Sequence, residues 1–208
     1  TRDELYGDYG VKLNSSFFNT ISGNNITRKS RGICLNGSLY NTISGNNITN
    51  NDYGIYFEYS LNNSIYGNYI AGNNHGVHVL TASNNSIYHN SFVDNTEQVY
   101  SSESTNIWDN GREEGNYWND YTGADTNGDG IGDEDLPWEG VDYYPLMSPY
   151  LPGDADHDGY VNLDDLELMS AAWLTESGDP KYNPHVDFTC EGMVNLDDLE
   201  VLSNYWLQ

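Results

Sequence analysis

The 208-residue chain is expected to be mainly β: a parallel β-helix of 22-residue coils, followed by a small α-helical domain with paired Ca²⁺ loops. Three observations carry this expectation. Gly10, Gly32, Gly54 and Gly76 recur every 22 residues, and each opens the same pattern. Two acidic loops, 33 residues apart, each run into a short helix with an apolar face. The charge is also divided: residues 1–98 hold seven acidic side chains against five basic, whereas residues 99–208 hold twenty-five against two. A fixed period in the twenties builds stacked coils, none of which can bury its apolar face alone.

Within each coil the pattern alternates. Val11, Ile33, Ile55 and Val77 form one column, and Leu13, Leu35, Phe57 and Val79 form the column two residues on. A period of two puts both columns on the inner face of a strand, with Lys12, Cys34, Tyr56 and His78 facing out. Ile21, Ile43, Ile65 and Ile87 mark a second inward position, and Ile26, Ile48, Ile70 and Phe92 a third. Gly and Asn between these short strands tolerate the left-handed backbone that corners need. The columns Asn19, Asn41, Asn63, Asn85 and Asn24, Asn46, Asn68, Asn90 are placed to stack as amide ladders. A fifth, shortened coil is expected through Val99 to Ile107 and Asn110. Five coils about 4.8 Å apart rise about 24 Å. The N-terminal end has only Thr1 to Tyr9 to cover it, with no recognisable capping helix. Residues 1–120 are therefore assigned to the β-helix, 121–152 to an acidic cap and linker, and 153–208 to the helical domain.

The Asn-Thr/Ser-Ile-X-Gly-Asn segments, such as Asn41-Thr42-Ile43-Ser44-Gly45-Asn46, resemble the right-handed β-helix repeats of the NosD-like and carbohydrate-binding/sugar-hydrolase families. Gly115 to Tyr121 and Asp142 to Leu146 also look like the end of a NosD-like module. The resemblance covers about residues 10–120. It implies a right-handed solenoid and an extracellular setting.

The C-terminal loops have the more specific chemistry. Asp154, Asp156, Asp158, Tyr160, Asn162 and Asp165 occupy positions 1, 3, 5, 7, 9 and 12 of a Ca²⁺ loop, with Gly159 at position 6 for the sharp turn. Ca²⁺ is hard and takes six to eight oxygens, which Asp, Asn and carbonyls supply. Asp187, Thr189, Glu191, Met193, Asn195 and Asp198 repeat the spacing in weaker form, with Thr at position 3 and Glu at position 5 departing from the usual Asp/Asn. A second site is therefore expected, with lower affinity or with a water in place of one ligand. Leu163, Leu166 and Met169 are spaced as one apolar face, as are Leu196, Leu199 and Leu202. This duplication looks like a type I dockerin, a family in which Ca²⁺ folds the module and the helices bind a cohesin. The resemblance implies partner recognition by Leu163, Asp164, Leu196 and Asp197, nearly identical in the two halves. The Leu-Asp pair departs from the Ser/Thr pairs of many cellulosomal dockerins. A third stretch, Asp125, Asn127, Asp129, Ile131 and Asp133, resembles thrombospondin type 3 Ca²⁺ repeats, but position 12 is Leu136.

Several function classes are disfavoured. The acidic half will not bind nucleic-acid phosphates. No run of 18 apolar residues spans a membrane, and Thr1 opens no apolar signal segment. Two cysteines, Cys34 and Cys190, build no disulfide framework, although a single staple is open to them. Six Asn-X-Ser/Thr sequons, at Asn14, Asn25, Asn36, Asn47, Asn62 and Asn84, suggest N-glycosylation outside the cell. No nucleophile–base pair or phosphate loop is visible, so catalysis is not expected. Arg28, Arg31 and Glu58 would carry a lyase or epimerase reading. His75, His78 and His89 do not read as one metal set, because His89 lies on another strand. The leading expectation is a non-catalytic, Ca²⁺-stabilised extracellular structural protein assembling head to tail into a filament. The alternative is a glycan-binding surface module anchored to a cohesin, with Tyr56, Tyr59, Tyr66 and Tyr88 as an exposed aromatic column.

Overall fold

The computed structural model describes residues 7–207. Each of the first four coils contributes one long and two short strands. The first coil holds β1 (Gly7–Asn14), β2 (Thr20–Ser22) and β3 (Asn25–Thr27). The second holds β4 (Lys29–Asn36), β5 (Thr42–Ser44) and β6 (Asn47–Thr49). The third holds β7 (Tyr53–Glu58), β8 (Ser64–Tyr66) and β9 (Tyr69–Ala71). The fourth holds β10 (His75–Leu80), β11 (Ser86–Tyr88) and β12 (Ser91–Val93). The fifth is β13 (Glu97–Ser102), a bridge at Ile107, and β14 (Tyr117–Trp118). These stack as three parallel sheets, and the fold is a β-solenoid.

The register follows the repeat: Val11 pairs with Ile33, Ile33 with Ile55, Ile55 with Val77 and Val77 with Val99. Ile33, Ile43, Ile48, Ile55, Ile65, Ile70 and Ile87 are fully buried in one core. Each such side chain stabilises the fold by about 1.5–3 kcal/mol. The amide ladders form as expected. Asn63 Nδ2 donates to Asn85 Oδ1 at 2.9 Å and to the Ser38 carbonyl at 3.0 Å, while its Oδ1 accepts from Asn41. A third ladder, Asn51, Asn73 and Asn95, ends on Gln98 Oε1. The glycine column reflects close approach between coils: a Cβ on Gly32 would lie 2.5 Å from the Gly54 carbonyl oxygen.

The fifth coil is longer than expected rather than shortened. Asn106 takes the ladder position above Asn85, but the partner of Asn90 is Asn116, 26 residues on. The extra residues form an excursion at 109–115, and Asn110 binds Glu114 instead of joining a ladder. Asp142 closes this end of the stack. Its buried carboxylate accepts from Asn116 N–H and Trp118 Nε1, both at 2.9 Å. Trp118 stacks on Phe92 beneath.

The outer face also differs from expectation. Cys34 does lie outside the core, but the side chains above cover it and it is only 4% exposed. Cys34 and Cys190 are both free thiols. The tyrosines form no single column: Tyr56 is buried, Tyr59 stands exposed at a corner, and Tyr66 stacks on Tyr88 on another sheet. His75 and His78 share the outer face of β10, and His75 Nδ1 lies 2.5 Å from Glu97. Arg31 leaves its corner to lie over the Tyr9, Tyr53 and Tyr56 rings. The expected N-terminal segment Asp3, Glu4, Leu5 and Tyr6 lies outside the described residues. Corners are not reserved for Gly and Asn, since Phe18, Arg28, Tyr40 and Tyr59 also have positive φ.

The C-terminal module holds α1 (Leu163–Ala171), a 3₁₀ turn at Pro184–Val186, and α2 (Leu196–Asn204). Its core joins Val161, Met169, Ala172, Val186, Val194 and Leu202. The two halves cross-tether: Leu174 N–H donates to the Val194 carbonyl at 2.9 Å, and Leu207 N–H to the Val161 carbonyl at 2.8 Å. The two apolar faces are shorter than expected. Met169 and Leu202 are buried, whereas Leu163 and Leu196 point to solvent.

Candidate functional site

All three acidic loops share one backbone. Position 6 is a left-handed glycine in each: Gly159, Gly192 and Gly130, with φ of 90°, 86° and 78°. Position 4 is left-handed too, at His157, Cys190 and Gly128. The position-6 N–H donates to the position-1 carboxylate: Gly159 to Asp154 at 2.9 Å, Gly192 to Asp187 at 2.8 Å, and Gly130 to Asp125 at 2.9 Å. The first two loops then feed helices through matched capping boxes. Asp164 N–H donates to Asn162 and Asp197 N–H to Asn195, while Asp165 and Asp198 accept from the cap N–H groups.

The side chains separate the loops. In the first, the Asp154, Asp156 and Asp158 carboxylates offer ligand atoms within 4.8 Å of one another. Burial, then repulsion from Asp165, Asp156 and Asp158, pushes Asp154 up to about 7. Burial likewise raises Asp156. Crowded carboxylates of this kind suit a hard divalent cation. In the second loop, the position-1 carboxylate already has a cation. Arg112 Nη2 lies 2.9 Å from Asp187 Oδ2, and Tyr182 Oη donates to the same oxygen. Burial pulls Asp187 upward, but the bonds from Tyr182, Gly192 and Arg112 outweigh it and hold the carboxyl below its usual range. Thr189 Oγ1 donates to Asp198, and Asn195 to Glu191, so these ligands are also engaged. In the third loop Asn127 and Asp129 accept from the loop backbone, Asp133 accepts from Thr126, and Leu136 is partly exposed.

A second cluster lies at the seam between solenoid and module. Glu114, only 5% exposed, is ringed by His89 Nε2 at 2.7 Å, His185 Nδ1 at 2.5 Å and His157 Nε2 at 3.6 Å. Asn110 Nδ2 donates to Glu114 at 2.7 Å. Burial raises the Glu114 pKa, but the bonds to His185 and His89 hold it well below the usual carboxylate range. The bond to Glu114 raises His185, and burial lowers His157. Tyr150 stacks on the His89 ring at 3.6 Å. Arg112 completes the seam, donating to the Pro184 and Asp187 carbonyls at 3.1 Å.

Sequence reasoning did not find this cluster, because Glu114, His157 and His185 belong to three different segments. One signal was legible. The corner column reads Gly23, Gly45, Gly67 and then His89, and His89 keeps the left-handed φ at 54°. Among the sequons, Asn14, Asn25, Asn47 and Asn84 are exposed and Asn62 is half-buried. Asn36 donates to Glu58 at 2.9 Å, so Glu58 is not isolated.

Residues 3–123 match the family described as periplasmic copper-binding protein (NosD). No curated protein and no solved structure matches the chain. Neither metal-capable cluster lies wholly inside the matched segment, since both draw on residues beyond 123. Among the described residues, no helix is long and apolar enough to cross a membrane.

Proposed function

Because the chain belongs to the NosD family, we propose that it is a non-catalytic β-solenoid of the cell exterior, stiffened by Ca²⁺ and attached through its C-terminal loop–helix pair to a cohesin-like protein. The observation that carries this reading is a matched pair: Leu163 and Leu196 are each 69% exposed, and Asn162 and Asn195 cap their helices with the same dihedrals. Two exposed leucines in equivalent frames offer the same apolar anchor to a partner able to bind in either of two orientations. Asp164 and Asp197 flank them with matched charge. Leu166, Met169, Trp173 and Leu199 line an apolar groove between the helices.

Ca²⁺ fits the first loop on the donor set alone. Asp154, Asp156, Asp158, the Tyr160 carbonyl, Asn162 and Asp165 would hold it, and its charge would relieve the crowding around Asp154. Glycans on the exposed sequons belong to the same reading. Head-to-tail assembly has weaker support, because a second copy would have to displace the Asp142 closure to extend the stack.

Calorimetry with a panel of cohesin domains tests the proposal. Leu163→Asp or Leu196→Asp alone should weaken binding about twofold, since the other orientation survives. The double variant should lose at least tenfold, about 1.4 kcal/mol. Absence of binding across the panel, or a double variant that binds like the wild type, would sink it.

A further inference from the structure

We propose that His89, Glu114, His157 and His185 form a binding site for a borderline divalent transition-metal ion, Zn²⁺ or Cu²⁺, at the seam between solenoid and module. The proposal is independent of the attachment reading. Three imidazole nitrogens and one carboxylate oxygen are the donors such ions prefer, and they are not a Ca²⁺ set.

Three observations converge. First, the ligand atoms of Glu114, His157 and His185 lie within 4.8 Å of one another, and His89 Nε2 is 2.7 Å from the same carboxylate. Second, His157 Nδ1 lies 3.1 Å from the Asp129 carbonyl, which can only accept, so that nitrogen carries the proton. In the neutral ring Nε2 is then a bare lone pair. It faces Glu114 Oε1 at 3.6 Å and makes no hydrogen bond. Two acceptors face each other in a buried place, an arrangement a metal ion resolves. The Asp129 carbonyl acts as an outer partner that sets the imidazole tautomer, and Asn110 does the same service for Glu114. Third, His89 occupies a left-handed corner where the three preceding coils carry glycine. A side chain there costs about 1–2 kcal/mol. The fourth coil alone departs from the glycine of this column, and it does so with a side chain that reaches Glu114.

The geometry also says what the ion would do. His89 and Glu114 come from the solenoid side, and His157 and His185 come from the two halves of the loop–helix module. One ion would cross-link all three.

The test uses the full chain without added histidine tags, saturated with Ca²⁺ so that the acidic loops do not compete. Zn²⁺ alone and Cu²⁺ alone are titrated by calorimetry, and the loaded protein is examined by X-ray absorption. We expect one ion per chain with an imidazole-rich shell, four-coordinate and tetrahedral for Zn²⁺ or tetragonal for Cu²⁺. His89→Gly restores the glycine of the corner column, so it should fold at least as well by thermal melting yet bind at least tenfold more weakly. His185→Ala should also bind at least tenfold more weakly, whereas His75→Ala should leave affinity unchanged. No saturable binding would overturn the proposal. So would binding that survives both His89→Gly and His185→Ala, or that is lost in His75→Ala.

Discussion

The loops at 154–165 and 187–198 have the same turns, caps and following helices, yet they meet different surroundings. Asp154 faces other carboxylates, whereas Asp187 faces Arg112 and Tyr182. One loop accumulates negative charge that a cation would relieve. The other has its charge answered by Arg112 from the solenoid excursion and by Tyr182. A duplicated sequence thus meets two environments, because backbone conformation is local whereas electrostatic environment is set by whatever packs alongside.

The largest expected effect comes from the ligand side. In wild-type protein, Ca²⁺ titration should show one tight and one weak site. Asp154→Ala should remove the tight one, lowering its affinity at least a hundredfold. At a concentration of 100 times the dissociation constant, the lost stabilisation is about 2.7 kcal/mol. If Asp187→Ala removes the tight site instead, the assignment of the two loops is reversed.

Arg112→Ala sharpens the comparison from the other side. It takes the charged partner from a buried carboxylate that keeps only the Tyr182 and Gly192 hydrogen bonds, which should cost about 2 kcal/mol in Ca²⁺-free buffer by denaturant unfolding. It should also free Asp187 for metal, so added Ca²⁺ should recover most of the loss and calorimetry should show the second site tightening. A loss that Ca²⁺ leaves untouched would break the argument.

The smallest effect is in pH dependence, and the two loops differ in sign. Asp154 is raised to about 7, so the folded state holds its proton more tightly than the unfolded state. Without Ca²⁺, that loop's contribution to stability should fall as pH rises from about 4 to about 7. Asp187 is lowered, so its contribution is present above about 4 and lost as pH falls below that. Thermal melts of Asp154→Asn and Asp187→Asn across this range should flatten opposite limbs of the profile. Both variants flattening the same limb would refute the opposed environments.

The solenoid was legible in the sequence because its interactions repeat with the chain. Ile33 meets Ile55, and Asn41 meets Asn63, since both lie one period apart. The loop backbones were legible for a similar reason: Gly159 and Gly192 are needed where φ is positive. Burial on the outer face was not, because Cys34 and Tyr56 alternate outward yet are buried, with Arg31 lying over the Tyr56 ring.

By itself, then, the sequence determined the period, the core columns, the amide ladders, the conformation of the acidic loops and the two helices. These depend on neighbours along the chain or one coil away. Only the tertiary structure decided which loop is charged and which is neutralised, and only it assembled His89, Glu114, His157 and His185. Those outcomes depend on Arg112 and Glu114, in a non-repeating excursion of the fifth coil, meeting residues about 70 positions away. No periodicity encodes such a meeting. It follows from how the module packs against the solenoid, where burial strengthens each charge that finds a partner and penalises each one that does not.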